Sequence, residues 1–181
     1  MNMENKTEII PAKIKDIELI VGLAHEIWHE HYTAIIGLNQ VEYMLKKMYS
    51  HEVLKNTIEC GTQQFYLIRV ADNYEGFIAV ELRDEEADCF IQKFYLRNSK
   101  RGTGAAKICF DLLKQTYPEI NTFRLQVNRE NIRAINFYFK VGFIIEKSAD
   151  FDIGNGFYMN DFVMIHDKNK LKINEQIAGI V

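Results

Sequence analysis

The sequence predicts a mixed α/β protein of the α+β kind, with a largely antiparallel central sheet flanked by helices on both faces. Three observations carry that expectation. Apolar residues recur at helical spacing from Ile17 to Gly61; strand-like runs follow from Gln64 to Leu96; after Gly102 two helical stretches alternate with strands and end in a hairpin pattern.

The opening segment TEIIPAKI reads as a short strand. Asp16 is placed to cap a helix whose apolar positions are Ile17, Ile20, Val21, Ala24, Trp28 and Ile35. In the next helix Val41, Met44, Leu45 and Met48 share one face; Ser50 can cap the one after it, which Gly61 ends. QFYLIRVA, then GFIAVELR across the turn DNYEG, then DCFIQKFYL across DEEA, read as three antiparallel strands. Gly102 to Tyr117 returns to helix with Ile108, Leu112 and Leu113 inward. TFRLQVN is a strand, Asn131 to Val141 a helix ended by Gly142, and FIIEKSADF with GFYMNDFVMI a hairpin joined by DIGN.

The chain has 181 residues, two prolines, no Pro/Gly/Ser linker and no internal repeat. That predicts one domain over 1–166 followed by a charged tail over 167–181. Hydrophobic residues make up 48% and charged residues 26%, which is globular composition. No apolar run approaches the roughly 20 residues of a membrane span, and MNMENKTEII lacks a signal-peptide core, so the expected address is the cytoplasm with no membrane partner. A formal net charge of -3 leaves no basic stripe for phosphate neutralisation, and no nucleic-acid partner is expected. Cys60, Cys89 and Cys109 are unclustered and read as small buried hydrophobes.

Residues 25–32, HEIWHEHY, match the H-E-x-x-H pattern of zinc proteases. His25 and His29 are one turn apart, and Glu26 stands where a general base would, with Glu42, Glu52 and Glu59 as candidate third ligands. The apolar stripe, however, centres on Ile17, Ala24, Trp28 and Ile35, which puts His25 and His29 on a solvated flank. The continuation with Gly and a third His is also missing, and no metal is expected. His31 falls within the stripe beside Tyr32, as a core histidine or a group facing a cleft.

A second motif is stronger in position than in letters. FIQKFYL runs into RNSKRGTGAA and directly into AKICFDLLKQTY, which places Gly102 and Gly104 at a helix N-terminus without a side-chain cap. The first amides of such a helix lack partners, and an anion such as phosphate supplies them while meeting the positive end of the helix dipole. Glycine permits unusual backbone angles and removes the Cβ that would hold a ligand away. Lys100 and Arg101 add charge at the same edge, Arg101 able to grip phosphate oxygens in a bidentate manner. The plain alternative is a Gly-rich turn. The spacing is neither that of a Walker loop nor that of a Rossmann fingerprint.

Together YLRNSKRGTGAA and LQVNRENIRAINFYFKVGF resemble the two central motifs of the GNAT superfamily, the N-acyltransferases that use acetyl-coenzyme A. The element order agrees along nearly the whole chain. The resemblance implies a GNAT-like sheet in which two neighbouring strands splay apart. It puts the pyrophosphate of coenzyme A on the backbone amides of Arg101, Gly102, Thr103, Gly104, Ala105 and Ala106. The pantetheine arm would run along Phe94, Tyr95 and Leu96, and Asn131 would contact the cofactor. Tyr138 matches the general acid that protonates the departing thiolate; a core aromatic beside Phe137 and Phe139 is the bland alternative.

The implied chemistry is direct attack of a neutral amine on the thioester. Deprotonating an amine of pKa about 10.4 at pH 7 costs about 4.6 kcal/mol, so a base, a water chain or a desolvating pocket must help. Many family members carry a glutamate where this chain has Gln92, which cannot be a base; Glu81, His31 and water are the candidates left. The family usually walls its acceptor pocket with the first helices and the final hairpin. That implies Trp28, His31, Tyr32, Phe151, Asp152, Phe157, Tyr158 and Asp161, aromatic surface and carboxylates suited to a cationic amine. The acceptor implied is a small-molecule amine, with HEIWHEHY, VEYMLKKMY and SADFDIGNGFYMNDFVM similar to bacterial diamine and polyamine acetyltransferases. Acetylation of protein N-termini or lysines, or a non-catalytic acyl-coenzyme A sensor, are the alternatives. Homodimers are common in the family, and the sequence leaves the oligomeric state open.

Overall fold

The structure is a computed structural model that describes residues 6–83 and 87–168. The tail expected over 167–181 lies outside the described residues apart from its first two, as does most of the DEEA turn. Two compact units emerge: the first holds the chain up to Glu81 together with Gln92–Tyr117, the second Leu82–Ile91 and the chain from Pro118 on.

The first unit begins with β1 (Thr7–Pro11), followed by helices α1 (Ile17–His31), α2 (Thr33–Ile36), α3 (Leu38–Tyr49) and α4 (His51–Glu59). β2 (Gln64–Val70), most of β3 (Asn73–Arg83), the second half of β4 (Asp88–Leu96) and α5 (Ala105–Thr116) complete it. The second unit holds the first half of β4 with β5 (Thr122–Asn128), α6 (Ile132–Lys140), β6 (Ile144–Gly154) and β7 (Phe157–Asp167). Because β3 and β4 run through both units, the hydrogen-bonded order is β1-β2-β3-β4-β5-β7-β6. The β4–β5 ladder is parallel; those of β1 with β2, β2 with β3, β5 with β7 and β6 with β7 are antiparallel, the second and last of these as expected.

Alternation along the strands sorts the first unit into two faces. Phe77 and Tyr95 pack against Tyr49 and Trp28 of the first helices, whereas Tyr66 reaches Tyr117 beyond α5 at 2.6 Å between hydroxyls. Ile20, Ala24, Val41 and Phe77 are fully buried, and each large apolar side chain so placed contributes roughly 1.5–3 kcal/mol relative to exposure. Gly76 is required where β3 passes β4, since a Cβ there would collide with the Tyr95 carbonyl oxygen.

Several boundaries differ from expectation for local reasons. α1 stops at His31 instead of running to Ile35, because the amides of Ile35 and Ile36 both turn back to the Tyr32 carbonyl and open a separate short helix. Asp16 precedes α1 yet its carboxylate accepts from the Lys13 amide at 2.8 Å, so it is no cap for that helix. Ser50 does cap α4, accepting from the Val53 amide. Val70 pairs with Asn73, which shrinks the expected DNYEG turn to Ala71 and Asp72, with Ala71 at φ 53°. The final turn is Asn155-Gly156 with φ 57° and 76°, a two-residue hairpin in which Gly154 already pairs with Phe157.

α5 starts at Ala105 rather than Gly102, because Gly102 and Gly104 sit at φ 81° and 89°. Its inward stripe is Ala105, Cys109, Phe110 and Leu113; Ile108, expected inside, is 43% exposed. Cys89 and Cys109 are buried, and burial pushes both thiols up to about 12; Cys60, by contrast, is exposed. No helix among the described residues is long and apolar enough to cross a membrane.

Candidate active site

In the first unit β4 continues to Leu96, past the end of its ladder with β5 at Ile91, and then turns through a short 3-10 segment, Asn98–Lys100, to α5. Phe94 and Tyr95 are half-buried and Leu96 is buried on this last stretch. Gly102, Thr103 and Gly104 are exposed. The Arg101 amide donates to the Asn98 carbonyl at 3.1 Å, and the Ala105 amide to Thr103 Oγ1 at 3.4 Å. Among the described residues the amides of Gly102, Thr103, Gly104 and Ala106 donate to no acceptor. Space beside both glycines is open: a Cβ at either would meet nothing within 4 Å. These unspent donors at the positive end of α5 suit a doubly charged phosphate group in place of a cap.

The two cations expected at this edge are held differently than anticipated. Lys100 Nζ lies 3.4 Å from Glu75, and Arg101 folds back so that Nε donates to the Leu96 carbonyl at 3.3 Å. Arg101 Nη1 lies 3.0 Å from His31 Nδ1; a guanidinium only donates, so this imidazole nitrogen is the acceptor. Of the groups at this edge, the backbone amides of Gly102, Thr103, Gly104 and Ala106 are those left without an acceptor among the described residues. His31 is half-buried and faces the loop through Arg101.

Beside the loop Trp28, Tyr32, Tyr49, Phe77 and Tyr95 form one aromatic cluster, with centroids 4.7 Å apart for Trp28–Tyr32 and 5.9 Å for Trp28–Tyr95. Sequence reading named three of its members and missed Tyr49 and Phe77, whose contacts join α3 and β3 to α1. The Trp28 indole N–H and the Tyr49 hydroxyl meet no partner in hydrogen-bond geometry. Burial pushes the Tyr49 hydroxyl above the usual phenol range, although Tyr95 and Trp28 stand close enough to oppose that push. Lys93 points under the same cluster, over the Tyr49 and Phe65 rings and 3.0 Å from Gln63 Oε1, and burial lowers it to about 8. Glu81 accepts from Gln92 Nε2 at 2.8 Å.

The histidines of H-E-x-x-H have other contacts. His25 and His29 rings are 6.0 Å apart, and His29 Nε2 lies 3.1 Å from Glu42. Among the described residues no group of three His, Cys, Asp or Glu is arranged to hold a metal. Glu26, which the zinc pattern would make a general base, instead receives Arg97 of the loop, and Glu30, which the sequence reading did not single out, receives Asn98.

In the second unit α6 carries Asn131 and Tyr138. Asn131 is buried and caps the helix, its Oδ1 accepting from the Ala134 amide at 3.2 Å. Tyr138 is 9% exposed, with Phe137 and Phe143 at ring distances of 5.3 and 5.4 Å. Asp152 pairs in register with Tyr158; both are exposed, and the Asp152 carboxylate accepts from the Gly154 amide at 2.7 Å. Phe151 and Phe157 are half-buried near the same end of the hairpin. Asp161 is buried beside Asn128 of β5.

The family model for the acetyltransferase (GNAT) domain matches residues 22–157. A curated relative, the spermidine N(1)-acetyltransferase of Thermoplasma acidophilum, is 28% identical over 153 residues, 80% of this chain and 92% of the relative. Among solved structures, the PaiA N-acetyltransferase of Thermoplasma acidophilum in complex with coenzyme A superposes with a TM-score of 0.75 at 24% identity, covering 90% of this chain and 99% of that one. The RimL ribosomal L7/L12 alpha-N-protein acetyltransferase in complex with coenzyme A gives 0.70 at 15% identity, covering 92% and 96%. At these identities the two structures speak for the fold.

Proposed function

Because the chain belongs to the GNAT acetyltransferase family, we propose that it transfers the acetyl group of acetyl-coenzyme A to a primary amine of a small molecule, a diamine or polyamine. The observation that carries the reading is the uncapped start of α5, where the amides of Gly102, Thr103, Gly104 and Ala106 have no acceptor among the described residues. The residues suit the cofactor: Gly102, Thr103, Gly104 and Ala106 offer backbone donors to a diphosphate, and the stretch from Phe94 to Leu96 offers a strand edge to an amide-bearing arm. Bound there, acetyl-coenzyme A supplies an activated acetyl thioester. Arg101, occupied by His31 and Leu96, shapes the loop in this reading. Asn131 is assigned a cofactor contact in addition to its cap.

Tyr138 is assigned the role of acid. A phenol of ordinary pKa about 10 holds its proton at neutral pH and can give it to a thiolate whose conjugate acid lies near 8.5. On the acceptor side, the Trp28, Tyr32 and Tyr95 rings suit a cationic amine chain. Asp152, Tyr158 and Glu81 are assigned to the amine acceptor, with Glu81, His31 or water as the candidates for the base. The polyamine class is supported by the curated spermidine-acetylating relative.

The test is acetyl transfer to spermidine, putrescine and an N-terminal peptide, before and after Tyr138→Phe. The expected result is turnover with the polyamines and a loss of about 10²–10³ in kcat for the variant, at unchanged coenzyme A affinity. Preference for the peptide would move the acceptor class to protein N-termini. Binding of coenzyme A without turnover of any amine would make the chain a sensor.

A further inference from the structure

The loop between β4 and α5 contains two glycines in the left-handed region and little packing of its own, so something outside it must hold its shape. α1 presents three acceptors to it. Glu26 takes Arg97 in a two-point grip, Nε to Oε1 at 2.6 Å and Nη2 to Oε2 at 2.7 Å. Glu30 Oε1 accepts from Asn98 Nδ2 at 3.2 Å, and His31 Nδ1 from Arg101 Nη1 at 3.0 Å. Every one of these bonds runs from a donor on the loop to an acceptor on the helix.

β3 adds a second anchor to the same residue. Arg97 Nη1 donates to the Tyr74 carbonyl at 2.9 Å, and the Arg97 amide donates to the Glu75 carbonyl at 2.8 Å. The Glu75 carboxylate, only 6% exposed, lies between Arg97 at 3.6 Å and Lys100 at 3.4 Å. Thr103 Oγ1 then donates to the Lys100 carbonyl at 2.8 Å, passing the constraint to the glycine turn. Arg97 joins α1, β3 and the backbone leading to Gly102.

We propose that Arg97 is a positioning residue for the coenzyme A diphosphate, acting through Glu26 and Glu75 to hold the loop amides in their binding arrangement before the ligand arrives. The proposal rests on the reading of that loop as the coenzyme A cradle. Preorganisation is the physical content: a loop already held loses less conformational entropy on binding, so the benefit falls on affinity for the ligand of the loop. A partly exposed ion pair adds little to global stability, so folding is not its main effect. The charges matter for geometry, because a guanidinium spans both carboxylate oxygens and an ammonium cannot.

The experiment is calorimetric titration of the full chain with coenzyme A, for the wild type, Arg97→Gln, Glu26→Gln, the double variant and Arg97→Lys, alongside melting curves and steady-state kinetics. Each single variant is expected to lose about 10-fold in affinity and the double variant no more than about 15-fold, because the two changes remove one interaction. Arg97→Lys is expected to recover less than half of the loss. The KM for the amine, and kcat at saturating acetyl-coenzyme A, should stay within about 3-fold of wild type, with melting temperature lowered by only a few degrees. Affinity within 2-fold of wild type for Arg97→Gln overturns the proposal, as does a parallel fall in kcat, both KM values and melting temperature, which is what a purely structural residue would give. A wild type that takes up no coenzyme A overturns the cradle reading itself, a result distinct from either.

Discussion

Two strand-to-helix connections in this chain solve the same problem in opposite ways. β4 leads to α5 through an exposed, glycine-rich loop in which the amides of Gly102, Thr103, Gly104 and Ala106 have no acceptor among the described residues. β5 leads to α6 through Asn128–Asn131, where Asn128 Oδ1 accepts from the Glu130 amide and Asn131 Oδ1 from the Ala134 amide. A helix start that completes its hydrogen bonds with its own side chains is finished structure; one that leaves them open, while being held in shape from outside, is prepared for an anion. The contrast explains why the glycine connection, and not the asparagine one, is the candidate cradle.

The sharpest way to break the comparison is Gly104→Val. A β-branched residue at φ 89° is strained, and its side chain would project into the space beside the open amides. Coenzyme A affinity measured by calorimetry should fall about 100-fold, with the strain alone contributing roughly 1–2 kcal/mol. Unchanged affinity would mean that the two helix starts do not differ in function.

Next in size is a pH effect confined to the second connection. Asp161 pairs in register with Asn128, and its carboxyl is pushed up to about 6 by burial, with Asp150 adding to the shift and Arg129 opposing it. A raised carboxyl pKa penalises the ionised form in the folded state: the penalty is absent below about 3.8, grows as pH rises, and is complete above about 6. Asp161→Asn should therefore raise stability by about 2 kcal/mol at pH 7.5 and leave it unchanged near pH 3.5, followed by denaturant unfolding at both pH values. A gain of equal size at both would assign the effect to packing instead of charge.

Smaller still is the cap itself. Asn131→Ala should cost about 1 kcal/mol of stability, and Asn131→Asp should restore most of it because aspartate is an equally good cap. Any rise in the KM for acetyl-coenzyme A that Asn131→Asp leaves in place would measure the cofactor contact separately. The smallest effect belongs to Thr103→Val, which removes the hydroxyl linking the Lys100 carbonyl to the Ala105 amide. It should cost about 0.5 kcal/mol in coenzyme A binding, a little over 2-fold.

Much of this contrast was legible residue by residue. Gly102 and Gly104 ahead of an apolar-periodic run mark an uncapped helix, a signal local in the chain; Asn131, read as the first residue of its helix, turns out to be its cap. Alternation likewise placed β2, β4 and β5 within a residue or so, whereas β3 begins at Asn73, three residues before the expected Gly76. The errors arose where partners are distant in sequence. Ile108 looked as apolar as Cys109 and Phe110, and only the angle at which α5 begins decides which of them turns inward. Lys100 and Arg101 looked available to phosphate, yet Glu75 and His31 engage them from β3 and α1.

H-E-x-x-H shows the same limit from the other side. A helix face bearing Glu26, Glu30 and His31 is a set of acceptors whose meaning depends on what it faces, and no spacing rule names Arg97 as the partner of Glu26. By itself the sequence determined most element types, their order and the family resemblance, since these follow from short-range periodicity, glycine chemistry and motif residues. Only the tertiary structure decided which charges meet, because ion pairs such as Arg97–Glu26 join residues far apart in the chain, and their geometry exists only once β4 and α1 have packed.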